Sequence, residues 1–242
     1  MVLVITLVFI ASLSIMASFL YFREVEKRKL NAVLERERLA GIYLPVFCRK
    51  LLELAGAYQQ KYGSLPAEIS FSFRAGRTLG EGLVRVRLSS ESDRLNLNSA
   101  TEEEILALLL EAGVPEDRAL TVRDSLLDWR DEDDEPRPHG AEREFYEGYA
   151  PSNRPFRDFG ELLLVRGMDP LLLFGKGGLF ERITLYGEKK AGEEDSTEEG
   201  VRLREGGFYR LELDLLLSGR PFRYVAIFRW GKVPQLLFGQ RL

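Results

Sequence analysis

Leu83-Val84-Arg85-Val86-Arg87-Leu88 alternates apolar and basic residues, with Val84, Val86 and Leu88 on one face and Arg85 and Arg87 on the other. A period of two is the mark of a half-buried antiparallel strand. The pattern returns far down the chain, where Tyr209, Leu211, Leu213 and Leu215 alternate with Arg210, Glu212 and Asp214. After a Ser218-Gly219 turn, Phe222, Tyr224, Ala226, Phe228 and Trp230 share one face. Ile183-Thr184-Leu185-Tyr186 is a weaker strand candidate, and residues 188–200, EKKAGEEDSTEEG, read as a solvated loop.

Between the strands, residues 96–170 read as helical. Ser99-Ala100-Thr101-Glu102 has the capping-box form, with Ser99 as N-cap. Ile105, Leu108, Leu109 and Ala112 make an apolar face that Gly113 ends. Pro115 opens a second helix, on which Ala119, Val122, Leu126 and Trp129 repeat at helical spacing. Phe159, Leu162, Leu163 and Val165 suit a later short helix.

Upstream of the first strand, Val2 to Phe22 runs VLVITLVFIASLSIMASFLYF without a charge. About 20 such residues cross a bilayer core. Tyr21 and Phe22 would sit at the interface, with Arg23, Lys27, Arg28 and Lys29 beyond it. A cleaved signal peptide fits less well, because the run lacks a basic n-region and exceeds the usual apolar length of about 7–15 residues. Residues 1–22 are therefore read as a retained membrane helix. The following basic cluster alone favours a cytoplasmic globular part, but Glu24, Glu26, Glu35 and Glu37 dilute it and orientation stays open. Residues 23–62 continue as an amphipathic spine with Leu30, Val33, Leu34, Ile42, Val46, Leu52 and Leu54 recurring. Pro45 should kink or divide this helix, and Gly63-Ser64-Leu65-Pro66 should stop it. The fold class is α+β: a long N-terminal helix, a small antiparallel sheet from 63–95 and 171–242, and a helical insert over 96–170.

Composition narrows the chemistry. The 242 residues carry 34 Lys and Arg against 38 Asp and Glu, with one His and one Cys. His139 and Cys48 alone cannot build a zinc site or a disulfide, and they leave little for a nucleophile–His triad. Cys48 reads as a buried helix side chain. Residues 91–150 hold 18 acidic and 6 basic side chains, so this block has a net charge of −12 and the rest +8. Asn96-Leu97-Asn98-Ser99-Ala100 followed by two short helices is similar to helix-hairpin-helix modules. The expected second glycine is Pro115, however, and a block this acidic would repel phosphate, which excludes nucleic acid as a partner.

Seven carboxylates crowd into Asp128-Trp129-Arg130-Asp131-Glu132-Asp133-Asp134-Glu135-Pro136-Arg137-Pro138-His139-Gly140-Ala141-Glu142. Asp131, Asp133, Glu135 and Glu142 fall at the first, third, fifth and twelfth positions of an EF-hand loop, but Pro136 replaces the turn glycine. A solvated acidic surface and a calcium loop of another geometry are both open at this point. Crowded carboxylates repel unless cations or arginines compensate, and Trp129, Phe145 and Tyr146 bracket the run as if it were packed. Magnesium rarely uses an all-protein cage. A paired-carboxylate hydrolase is conceivable, with no other support in the chain.

Leu95-Asn96-Leu97-Asn98-Ser99-Ala100, Asp128-Trp129-Arg130-Asp131, Gly140-Ala141-Glu142, Tyr146, Asn153, Pro155-Phe156, Glu161-Leu162 and Val165-Arg166-Gly167-Met168 together resemble the K-type minor pseudopilins of bacterial type II secretion. The resemblance covers about a third of the chain, and the hydrophobic N-terminus and C-terminal strands follow the family's order. It implies a pilin-like spine and sheet with an inserted helical domain, and a non-catalytic subunit at the tip of a periplasmic pseudopilus. The implied partners are the I- and J-type minor pseudopilins, the inner membrane before assembly, and the outer-membrane secretin. The family binds calcium, and Asp131, Asp133 and Glu142 are the first expected ligands, with Asp128 and Asp134 behind them. A basic leader ending in Gly is expected ahead of the apolar helix, which would place the globular part in the periplasm. No acidic residue falls within Met1 to Phe22, as suits a subunit with none above it. Larger members repeat the Asn-x-Asn-Ser/Thr-Ala unit that occurs once here. A minor pilin of a type IV pilus or competence system, and a membrane-anchored carboxylate hydrolase, are the alternatives.

Overall fold

In the computed structural model the described residues are 2–74, 81–187, 196–197, 200–217 and 220–241. In chain order they form helix α1 (Val2–Tyr62), strands β1 (Glu68–Arg74), β2 (Glu81–Ser90) and β3 (Leu95–Asn96), and helices α2 (Glu102–Glu111), α3 (Glu116–Arg130) and α4 (Pro170–Phe174). Strands β4 (Ile183–Thr184), β5 (Ser196–Thr197), β6 (Gly200–Val201), β7 (Phe208–Leu217), β8 (Arg220–Arg229) and β9 (Gln235–Arg241) follow. Short 3₁₀ turns lie at Glu91–Asp93, Arg143–Phe145, Glu161–Leu164 and Leu179–Glu181.

Five antiparallel strands make one sheet in the order β1-β2-β7-β8-β9. The alternating patterns pair as expected, with Val84 opposite Leu215 and Leu88 opposite Leu211. Thus β2 and β7 are sheet neighbours although residues 91–207 separate them in sequence. The weak strand candidate at 183 shrinks to Ile183–Thr184, which pairs in parallel with Leu95–Asn96. Most of the expected loop 188–200 and the Ser218-Gly219 turn lie outside the described residues; Ser196–Thr197 and Gly200–Val201 pair as a small hairpin.

One face of the sheet takes α1. Leu44, Cys48 and Leu52 pack with Val84, Val86, Leu88, Leu211, Leu213 and Phe228. Gln59 fixes the end of α1 by donating to the Leu203 carbonyl at 2.7 Å and accepting from its N–H at 2.6 Å. At Gly63 φ is +87°, where glycine avoids a Cβ clash and the helix stops as expected. The helix runs through Pro45 as one element rather than two. Leu30, Leu34, Val46 and Leu54, expected on its apolar face, lie exposed, because the sheet covers the Leu44-Cys48-Leu52 stripe instead. Burial pushes the Cys48 thiol up to about 12, so it stays protonated and inert. Among the described residues no helix is long and apolar enough to cross a membrane. Nearly all side chains of residues 1–22 fall outside those described, and so does the membrane span expected there.

The other face is buried too. Val225, Ile227 and Phe238 join Ile105, Leu109, Val122, Leu126, Phe159 and Phe180 in a second core. This corrects the reading of β8 and β7 as half-buried strands. Arg210, expected at the solvent face, is 1% exposed and meets Glu91, which is 0% exposed. Its Nε donates to Glu91 Oε1 at 2.7 Å and its Nη2 to Oε2 at 3.3 Å. Nη2 also donates to the Ile183 carbonyl at 3.0 Å, Nη1 donates to the Phe180 carbonyl, and the guanidinium lies 4.4 Å from the Phe180 ring centre. The α2 cap also differs by two residues. Thr101 is the N-cap, in a capping box with Glu104, because Ser99 is taken into a turn on the Asn96 carbonyl.

Glu91→Gln should leave Arg210 buried without its counter-charge and cost about 3–5 kcal/mol in urea unfolding. The double change Glu91→Met with Arg210→Met should recover most of that loss, and a double variant as unstable as the single one would contradict the pairing.

Candidate metal site in the acidic loop

Helix α3 presents Asp124 and Asp128 one turn apart, and both are buried. The chain leaves the helix at Asp131, whose N–H still bonds the Leu127 carbonyl at 3.0 Å, and residues 132–142 then fold back over the two carboxylates. Asp124 accepts from the His139 N–H at 3.1 Å and from Arg123 Nε at 2.7 Å. Asp128 is the hub. It accepts from the Ala141 N–H at 2.8 Å, the Arg137 N–H at 3.2 Å and Arg137 Nη1 at 2.7 Å. Gly140 permits this approach, since a Cβ there would stand 1.9 Å from Asp128 Oδ2.

Arg137 Nη1 also donates to Asp131 Oδ2. Burial alone would lower the Arg137 pKa, but its bonds to Asp131 and Asp128 reverse this and hold it above the ordinary arginine value. Asp131 titrates above the usual carboxylate value, through burial that Arg137 only partly offsets. Its Oδ1 is buried and has no hydrogen-bond partner among the described residues. Neither has either oxygen of Glu142, which is 3% exposed. Burial, followed by the charges of Asp128, Asp131, Asp134 and Asp133, pushes the Glu142 carboxyl from 4.5 up to about 7.

The five expected ligands therefore divide. Asp128, Asp131 and Glu142 form the inner group, while Asp133 and Asp134 lie on the exposed rim. Asn153 braces that rim, its Nδ2 lying 3.0 Å from both the Asp133 carbonyl and Asp134 Oδ1. Trp129 backs the loop from the core, edge-on to Tyr146 at 5.6 Å. Phe145, expected to be packed, is 53% exposed and lies against Arg166. Sequence reasoning missed Asp124, Gly140 and Arg137. The first was legible as a carboxylate one helical turn before Asp128, and the last as the basic residue within the acidic run.

An all-oxygen donor set with three buried, unpartnered carboxylate oxygens suits a hard divalent cation. As placed around Arg137, however, no three Asp, Glu, His or Cys side chains among the described residues stand close enough to hold a metal. The arrangement suits hydrolysis poorly. Asp128 is tied to two backbone amides and Arg137, and the one carboxyl with a raised pKa near neutrality, Glu142, is closed to a substrate.

Residues 86–173 match the family model of type II secretion system (T2SS), protein K. The chain is 40% identical over 65 residues to type II secretion system protein K of Dickeya chrysanthemi, which is 27% of this chain and 18% of that one. It is 32% identical over 112 residues to the protein of the same name from Klebsiella pneumoniae, 39% of this chain and 34% of that one. These alignments span at most about a third of the curated relatives' length. Among solved structures, the GspK-GspI-GspJ complex of the enterotoxigenic Escherichia coli type 2 secretion system contains a chain matching with a TM-score of 0.57. At 14% identity over 86% of this chain and 98% of that one, this is a likeness of fold. Over residues 86–173, the chain is similar to the protein K family of type II secretion.

Glu142 carries a pH test. Its folded pKa is raised above its unfolded value, so in chelator stability should be full below about pH 4.5 and should fall as pH rises through 7. Glu142→Gln should remove that fall, gaining on the order of 3 kcal/mol over wild type at pH 8 and little at pH 4.5 in urea unfolding. Equal pH slopes for the two proteins would refute the buried charge.

Proposed function

We propose that this chain is a non-catalytic minor pseudopilin at the tip of the type II secretion pseudopilus, supporting export of folded proteins across the outer membrane. The observation that carries the reading is the protein K match over 86–173, which begins within β2 of a sheet packed on a long helix and spans the acidic loop. The exposed faces support assembly. Leu30, Leu34, Val46 and Leu54 leave apolar side chains on α1 uncovered by the sheet, as a helix that packs against neighbouring subunits requires. Partners of I and J type follow from the kind of complex in which the fold neighbour was solved. The outer-membrane secretin is the surface such a tip would meet.

The apolar run Val2 to Phe22 would anchor the subunit in the bacterial inner membrane by a single pass before assembly, with the globular part in the periplasm. Calcium is the proposed ion, with Asp131, Glu142 and Asp128 as inner ligands and Asp133 and Asp134 on the rim. It would supply positive charge to carboxylates that repel one another, locking loop 131–142 onto α3. Asp128 positions the loop through the Ala141 and Arg137 amides whether or not an ion is bound.

Pull-down of the full-length protein from its native membranes, in calcium and in chelator, tests this reading. Two pilin-like minor subunits should be recovered in calcium and lost in chelator. Recovery of a type IV pilus set would move the protein to that machinery, and no pilin-like partner in either buffer would overturn the tip role. Calcium at a hundred times its Kd should stabilise the protein by about 2.7 kcal/mol, read as a higher melting temperature than in chelator.

A further inference from the structure

The acidic loop contains a cation of its own. Arg137 Nη1 lies 2.7 Å from Asp128 Oδ1 and also donates to Asp131, so one guanidinium edge bridges two of the carboxylates that a metal would need. Its side chain is 30% exposed and can leave the site without crossing the core. Asp128 does not depend on it, because the Ala141 N–H still holds Oδ2 at 2.8 Å. Glu102 Oε1, on the solvent side at 3.6 Å from Arg137 Nε, offers the guanidinium another carboxylate. Among the described residues Asp131 Oδ1 and both Glu142 oxygens are buried without hydrogen-bond partners, so the arginine leaves part of the inner group uncompensated. A divalent cation compensates more charge at shorter distance, yet it cannot share Asp131 with a guanidinium at the same edge.

We propose that Arg137 and a divalent cation are alternative occupants of the Asp128-Asp131 edge, the guanidinium latching the loop without the ion and releasing Asp131 when the ion binds. This rests on the calcium reading above. Arg137 is a positioning residue: it sets how tightly the site binds by competing for it, and it keeps the loop folded before secretion-side calcium is met.

Calorimetric titration of the full-length protein in detergent with calcium chloride, together with melting in chelator, tests the latch. Arg137→Gln should melt lower than wild type in chelator but bind calcium about tenfold tighter. Arg137→Lys keeps the charge on a shorter side chain without the planar guanidinium, and its affinity should rise less, about threefold. It also keeps the test open should the glutamine variant fail to fold. Calcium binding by wild type with equal or weaker binding by either variant would overturn the latch and leave the metal site standing. No calcium binding by wild type or variants would overturn both, and the two failures are thereby told apart.

Discussion

The buried Arg210–Glu91 pair decides how the two halves of this chain meet. Arg210 points away from α1, into what would be bare solvent if the sheet had one covered face. A guanidinium there can be buried only with its charge and donors met, and Glu91 with the Phe180 and Ile183 carbonyls meets them. Glu91 is the first residue after β2, and Arg210 lies in the strand that pairs with β2. The chain therefore leaves the sheet and returns to it at one place, and the pair ties that place to the Phe180 and Ile183 carbonyls of the intervening segment. Arg94 strengthens the junction by donating to the Ser90 carbonyl at 2.7 Å and to the Glu181 carbonyl at 3.2 Å.

That constraint places the acidic loop. With β3 and β4 paired beside the junction, α2 and α3 lie over Val225, Ile227 and Phe238, and α3 turns its buried Asp124 and Asp128 outward from this core toward the returning loop. Arg130 adds a second tie, donating to the Leu97 and Ala100 carbonyls that precede α2. The loop's backbone then has fixed acceptors at Asp124 and Asp128. Charge repulsion, which would otherwise disperse such a run, is carried by a rigid helix end and offset by Arg137. Crowded carboxylates are tolerated here because backbone amides and arginines meet Asp124 and Asp128.

Much of this was legible in one dimension. Alternation at Leu83–Leu88 and at Tyr209–Trp230 placed the central strands, since the pleat enforces a period of two wherever one face is buried. Gly63 and Gly113 marked true stops, both at positive φ. The acidic run and its aromatic neighbour Trp129 marked the candidate loop, and the motif set marked the stretch that matches the protein K model. The misses have specific causes. Pro45 did not divide α1, and Leu30, Leu34, Val46 and Leu54 lie exposed while Leu52 and the buried Cys48 hold, because several apolar positions on this helix fit a helical period and the sheet covers only one set. The Thr101 cap was misread by two residues because Ser99 and Thr101 both suit a cap, and a local turn on Asn96 chose between them.

Sequence by itself determined the local quantities: where the long helices and central strands lie, where glycine breaks them, and where negative charge accumulates. These follow from side-chain period, backbone freedom and charge, and each is set by residues close together in the chain. Only the tertiary structure decided that the sheet is covered on both faces, that Arg210 is buried against Glu91, and that Arg137 bridges Asp128 and Asp131 while Glu142 finds no hydrogen-bond partner among the described residues. Burial and ion pairing depend on what the rest of the chain brings within a few ångströms, and a one-dimensional pattern does not contain that distance.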